Sequence, residues 1–134
     1  MTVKDILEQA RTIAVVGLST HPFKAAHRIP AAMQAMGFRV IGVHPTADEL
    51  LGERAYRRLA DIGEPVDLVN VFRPSDEAAT VVRAAAEIGA PAVWLQLGIS
   101  SPEAARMAED AGMAYVEDRC IMVEARVLGV RAPA

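Results

Sequence analysis

Thr12-Ile13-Ala14-Val15-Val16-Gly17-Leu18-Ser19-Thr20-His21-Pro22-Phe23-Lys24 is the stretch on which the fold turns. Its first half is an apolar, β-branched run that ends in glycine, the pattern of a buried strand turning sharply toward a helix. Such an exit leaves a helix N-terminus facing whatever binds there. A dinucleotide-binding fold would continue as G-x-G-x-x-G and place an acid after its second strand. Here Ser19 and Pro22 stand at the later glycine positions, and Val40-Ile41-Gly42-Val43 runs into His44-Pro45 instead of an acid. The frame is that of a nucleotide-binding fold, and its details argue against NAD.

Working outward, Thr2 is placed to cap a short helix from Val3 to Ala10, and strand one follows at Thr12 to Gly17. Ile29, Ala32, Met33 and Met36 recur at helical spacing, which predicts a helix over about Ala25 to Met36 with Gly37 at its C-cap. Strand two is Phe38 to Val43, and Gly52 to Tyr56 adds a short extended segment before a helical turn at Arg57 to Ile62. Strand three is Asp67 to Phe72, closed by Arg73-Pro74, and Ser75-Asp76 opens a helix to about Ile88. Strand four is Ala92 to Leu97. Ser101 and Pro102 then start a helix that stops at Gly112. Strand five is Met113 to Val116. A last helix runs from about Arg119 to Leu128 with Asp118 as its N-cap, and Arg131 to Ala134 is expected to fray.

Strands that are continuous apolar runs, alternating with helices, predict an α/β fold with a parallel sheet buried on both faces. The expectation is one Rossmann-like, doubly wound domain over residues 1–134, with five strands ordered 3-2-1-4-5. The 134 residues suffice for one sizeable core, and a net charge of −3 with scattered arginines excludes an electrostatic footprint for nucleic acid. Cys120 is the only cysteine, so no internal disulfide forms and no cysteine-based metal site is indicated. His21 and His27 lie six apart and only His44 could join them, which predicts no metal centre. The charged first residues, Lys4, Asp5 and Glu8, are not those of a signal peptide, and no apolar run reaches membrane-spanning length. A cytoplasmic location, away from membranes, is therefore expected.

In such a sheet a ligand lies beyond the C-terminal strand ends at the topological switch point. Those ends are Gly17-Leu18-Ser19, Val43-His44-Pro45, Phe72-Arg73-Pro74 and Gln96-Leu97-Gly98, the first and last expected to flank the switch. Ser19, Thr20, Lys24 and Arg28 gather hydroxyl and cationic groups near a helix start, which suits a phosphate or pyrophosphate. Two readings stand for several of these: Ser19 or Thr20 as ligand group or helix cap, and Arg73 as phosphate ligand or solvated side chain. Gln96 is likewise either a ligand contact or a structural hydrogen bond.

Taken in order, these segments resemble the CoA-binding domain family, the YccU-like stand-alone proteins, and the module that opens the alpha subunit of succinyl-CoA synthetase. The resemblance covers about Ile6 to Leu128. It rests most on Trp94-Leu95-Gln96-Leu97-Gly98 with Asp118-Arg119-Cys120, beside Val15-Val16-Gly17-Leu18-Ser19 with Lys24 and Arg28, Val43-His44-Pro45 and Asp67 to Arg73. It implies that coenzyme A or an acyl-CoA is bound. Gly17 to Lys24 would hold the phosphates, Val43-His44-Pro45 and Phe72-Arg73-Pro74 the adenosine end, and Leu95-Gln96-Leu97 would border the pantetheine. A basic site without a ribose-binding carboxylate fits the pyrophosphate and 3′-phosphate of coenzyme A. The synthetase loop has further glycines where this chain has Ser19, His21 and Pro22, and its phosphorylated histidine has no counterpart among His21, His27 and His44.

No catalytic residue emerges: there is no G-x-S-x-G elbow and no paired nucleophile and base. Cys120 reads either as a reactive thiol near a helix start or as a small side chain packing the last helix. A ligand-binding protein without catalysis of its own is the first expectation. An NAD(P)-linked or other nucleotide-dependent enzyme using the same crevice is the second, and an interaction module the third. Ile121, Met122, Val123, Val127 and Leu128 could pack internally or across a homodimer, so a protein partner stays open.

Overall fold

The computed structural model describes residues 1–133. Helix α1 (Val3–Gln9) opens with a reciprocal cap: Asp5 N donates to Thr2 Oγ1 at 3.1 Å, and Thr2 N donates to the Asp5 carboxylate at 2.9 Å. Strand β1 (Thr12–Val16), helix α2 (Ala25–Ala35) and strand β2 (Arg39–Val43) follow. Between β2 and the next sheet strand lie a two-residue hairpin, β3 (Glu49–Leu50) with β4 (Glu53–Arg54), and a 3-10 turn at Leu59–Asp61. The chain then alternates: β5 (Leu68–Val71), α3 (Ser75–Glu87), β6 (Ala92–Leu95), α4 (Pro102–Asp110), β7 (Ala114–Val116) and α5 (Ile121–Leu128).

The five long strands form one parallel sheet ordered β2-β1-β5-β6-β7. The doubly wound parallel sheet is as expected, but the strand order is corrected. The third strand of the sequence, β5, lies beside β1 and not outside β2, so the expected 3-2-1-4-5 becomes 2-1-3-4-5. The place outside β2 is taken by Tyr56, which forms a parallel bridge to Val43. His44 N donates to Tyr56 O at 2.8 Å and Tyr56 N to Gly42 O at 3.0 Å, which satisfies that edge of β2. The start of β5 is held to β1 instead: the Asp67 carboxylate accepts from Arg11 N at 3.0 Å and Thr12 N at 2.9 Å.

Alternation along the strands divides the interior into two cores. Ile13, Val15, Val40, Leu68, Ala92 and Trp94 face α1, α2 and α5; Ala14, Ile41, Val69, Val71, Val93 and Leu95 face α3 and α4. Each fully buried large side chain of this kind contributes roughly 1.5–3 kcal/mol. Trp94 is fully buried in the first core, and its indole N–H is satisfied by the Arg119 carbonyl at 2.8 Å. The C-terminal segment does not fray at Ala132, whose amide donates to Met36 O at 3.4 Å and which packs against the first core. Ala134 lies outside the described residues. Among the described residues no helix is long and apolar enough to cross a membrane.

Candidate functional site

With β5 beside β1, the connections diverge between these two strands, and the switch point lies there, not between the first and fourth strand ends. A crevice of about 640 Å³ opens at this end of the sheet. Its floor is set by Gly17, whose φ is +94°. A Cβ at this position would stand 3.0 Å from Arg73 Cδ and 3.2 Å from the Phe72 carbonyl. Only glycine allows β1 to leave the sheet so close to the exit of β5. Gly17 N donates to Val43 O at 3.2 Å, so all three strand ends meet at this residue.

The loop from Leu18 to Lys24 is tied down by a defect built into α2. Pro30 lies inside that helix and has no N–H to offer the carbonyl four residues earlier. That carbonyl, Ala26 O, accepts from Ser19 N at 3.1 Å instead. Leu18 is buried and anchors the loop from below. The Ser19 hydroxyl accepts from His21 N at 3.0 Å, and Lys24 N closes a turn onto His21 O at 3.1 Å. Neither Ser19 nor Thr20 caps α2. Its N-cap is Lys24, which supplies no side-chain cap; His27 N and Arg28 N turn onto Lys24 O at 2.9 Å, and the amides of Ala25 and Ala26 keep no partner among the described residues.

On the β2 side, His44 and Pro45 form the rim. His44 Nδ1 accepts from Thr46 N at 3.0 Å and Ala47 N at 2.9 Å. Arg57 completes this rim, its guanidinium donating to Ala47 O at 2.6 Å and to Asp48 Oδ1 at 2.7 Å. On the β5 side stand half-buried Phe72 and exposed Arg73. Arg73 makes a forked pair with Glu77, at 3.3 Å through Nε and 2.9 Å through Nη2. The crevice thus carries three cations, Lys24, Arg57 and Arg73, two of them backed by carboxylates and Lys24 with no ion-pair partner among the described residues.

Of the residues singled out in the sequence, Gly17, Leu18, Ser19, Thr20, Lys24, Val43, His44, Pro45, Phe72 and Arg73 line this one crevice. Arg28 does not: its Nε donates to Phe23 O at 3.1 Å and braces the loop from the helix side. Pro74 is the N-cap of α3 and also lies outside the lining. Leu95 is buried in the second core, and Leu97 stands exposed beyond β6. Gln96 is buried; its Oε1 accepts from Ile121 N at 3.2 Å and Asn70 Nδ2 at 3.4 Å, joining β5, β6 and the start of α5, while its Nε2 has no partner. Gly98 N donates to the Asp118 carboxylate at 2.7 Å, so Asp118 ties two loops together and the N-cap of α5 is Cys120. Cys120 is half-buried and packs against the first core.

Arg57, Glu77 and Val81 also line the crevice, and no sequence motif marks them. Arg73 and Glu77 are four apart at a helix start, a spacing that signals a pair. Arg57 follows the extended segment ending at Tyr56, and its place depends on that segment docking on β2. Among the described residues no three His, Cys, Asp or Glu side chains gather as metal ligands.

A glycine-floored, cation-lined crevice at the switch point of a doubly wound sheet defines a nucleotide-binding class of domain. Within it, residues 11–126 match the model of the CoA binding domain, and the chain belongs to that family. It is 41% identical over 121 residues to the uncharacterized protein YneT of Bacillus subtilis (strain 168), covering 90% of each chain. Among solved structures it resembles cell-free ID.343 from Thermus thermophilus, at 38% identity and a TM-score of 0.89, covering 96% of this chain and 99% of that one. It is also similar to the apo form of the dinucleotide forming acetyl-coenzyme A synthetase 1 of Ca. Korarchaeum cryptofilum, at 26% identity and a TM-score of 0.76. That match covers 87% of this chain and 28% of the synthetase.

Proposed function

We propose that this chain binds coenzyme A or an acyl-CoA in the crevice at the ends of β1, β2 and β5, as a ligand-binding protein without a reaction of its own. The observation that carries the reading is the convergence of Gly17, the open start of α2 and Lys24 on one crevice. Membership of the CoA binding domain family supports the ligand, as does the similarity to part of an acetyl-coenzyme A synthetase. In this reading the pyrophosphate lies against the Ser19–Lys24 loop, where backbone amides and one unpaired ammonium meet it. The adenosine rests between the His44-Pro45 rim and Phe72. The pantetheine arm leaves toward the β6 end, where Leu97 offers an exposed apolar side chain.

Native mass spectrometry with coenzyme A, acetyl-CoA, NAD and NADP in competition tests this. The reading requires a coenzyme A adduct that acetylation does not abolish and that Lys24→Glu depletes. An NADP adduct without a coenzyme A adduct would overturn it and return the crevice to a nicotinamide enzyme.

A further inference from the structure

We infer that His44 and Arg57 together read a phosphomonoester on the ribose, so that the chain separates coenzyme A from its 3′-dephospho form. This rests on the proposed binding of coenzyme A in the crevice. The end of the second strand is where a dinucleotide fold places the carboxylate that accepts both ribose hydroxyls. In this chain the chemistry at that position is inverted. His44 Nδ1 is occupied by the amides of Thr46 and Ala47, at 3.0 and 2.9 Å. The ring proton therefore sits on Nε2, and the ring has no acceptor left for a diol, only a donor.

Arg57 is the next residue beyond the bridge that joins Val43 to Tyr56, so the two side chains belong to adjacent strand ends. Its guanidinium spends two donors on Ala47 O and Asp48 Oδ1, which hold it from one side, and keeps the others. Ala47 thus fixes both groups, its amide on His44 and its carbonyl on Arg57. The Arg57 side chain stays 45% exposed and lines both the crevice and an adjoining hollow of about 560 Å³. Arg54 lines the same hollow. The carboxylates there are already engaged, Asp48 with Arg57 at 2.7 Å and Asp61 with Arg58 at 3.2 Å. His44 and Arg57 thus offer donors to this rim, with the Asp48 carboxylate drawn onto Arg57 through Oδ1, an arrangement that suits a phosphate monoester better than a bare diol.

Calorimetry with coenzyme A and 3′-dephospho-coenzyme A, on the wild type, Arg57→Gln and His44→Asn, tests the pair. The wild type should prefer coenzyme A by about tenfold or more, the range of a charge-assisted contact. Arg57→Gln should bring that ratio close to one by weakening coenzyme A more than the dephospho form, because the phosphate contact is lost in addition to the Ala47 and Asp48 bonds that shape the rim for both ligands. His44→Asn keeps an acceptor for the Thr46 and Ala47 amides, but its shorter side chain cannot carry an N–H to the position of Nε2, and it should lower the ratio several-fold. Equal wild-type affinities, an Arg57→Gln variant that keeps the full ratio, or one that weakens both ligands alike would each overturn the inference. A wild type that binds neither compound would overturn the reading of the crevice itself, and the inference with it.

Discussion

The φ of +94° at Gly17 concentrates the demands of the site on one residue, because a side chain there would meet both Arg73 and the backbone of β5. Gly17→Ala is expected to cost about 1–2 kcal/mol from the backbone conformation alone, and more from the overlap. The measurement is paired: the thermal midpoint should fall, and affinity for coenzyme A should drop by more than about tenfold as the β1 and β5 exits are pushed apart. Gly17 was legible in the sequence because a glycine closing an apolar run marks a strand that must turn sharply at its exit. Arg57 was not, because nothing local marks it; its place depends on Tyr56 docking beside β2, 13 residues from Val43 in the chain. Arg28 illustrates the converse. Its charge and helical position suggest a phosphate ligand, yet a single bond to Phe23 O turns it toward the loop's own backbone.

Among the elements, α2 is the one whose irregularity serves the site. Its interior Pro30 leaves Ala26 O to the Ser19 amide, so the loop is fastened by a bond that a regular helix would consume. Pro30→Ala supplies an N–H that competes for that carbonyl. Exchange of the Ser19 amide should accelerate about five- to tenfold, as expected for one weakened hydrogen bond. Coenzyme A should bind more weakly while the sheet stays folded. At the far edge, the Tyr115 hydroxyl on β7 donates to Glu117 Oε1 at 2.7 Å, and the same oxygen accepts from the amide of Ser101, the N-cap of α4, at 3.4 Å. Burial, and then the Glu117 carboxylate, raise the Tyr115 pKa above its ordinary 10.0. In the unfolded chain the phenol ionises near that ordinary value while the folded one stays protonated, so the fold holds more protons. This contribution is fully present below pH 10.0 and is lost as the pH rises beyond it. Urea titrations across the alkaline range should show stability falling with pH, and Tyr115→Phe should flatten that slope.

At the scale of the molecule, one topological choice sets where a ligand can go. The alternation of apolar runs and helices specified a doubly wound parallel sheet, because strands buried on both faces need helices on each. It did not specify which side of β1 the third strand takes. That follows from the Asp67 clamp on Arg11 and Thr12 and from Tyr56 occupying the outer edge of β2, contacts between segments far apart in the chain. The change moves the switch point to the β1–β5 junction. It gathers Lys24, Arg57 and Arg73 around Gly17 and leaves the Leu95-to-Gly98 segment outside the crevice. Coenzyme A in that crevice is the central claim, and an amide chemical-shift titration of the labelled protein with coenzyme A tests it most directly. The largest changes are expected at Gly17, Ser19, Thr20, Lys24, His44 and Arg73, saturating together with one affinity. A spectrum unmoved by excess coenzyme A, or shifts gathered on α4 and β7, would contradict the account.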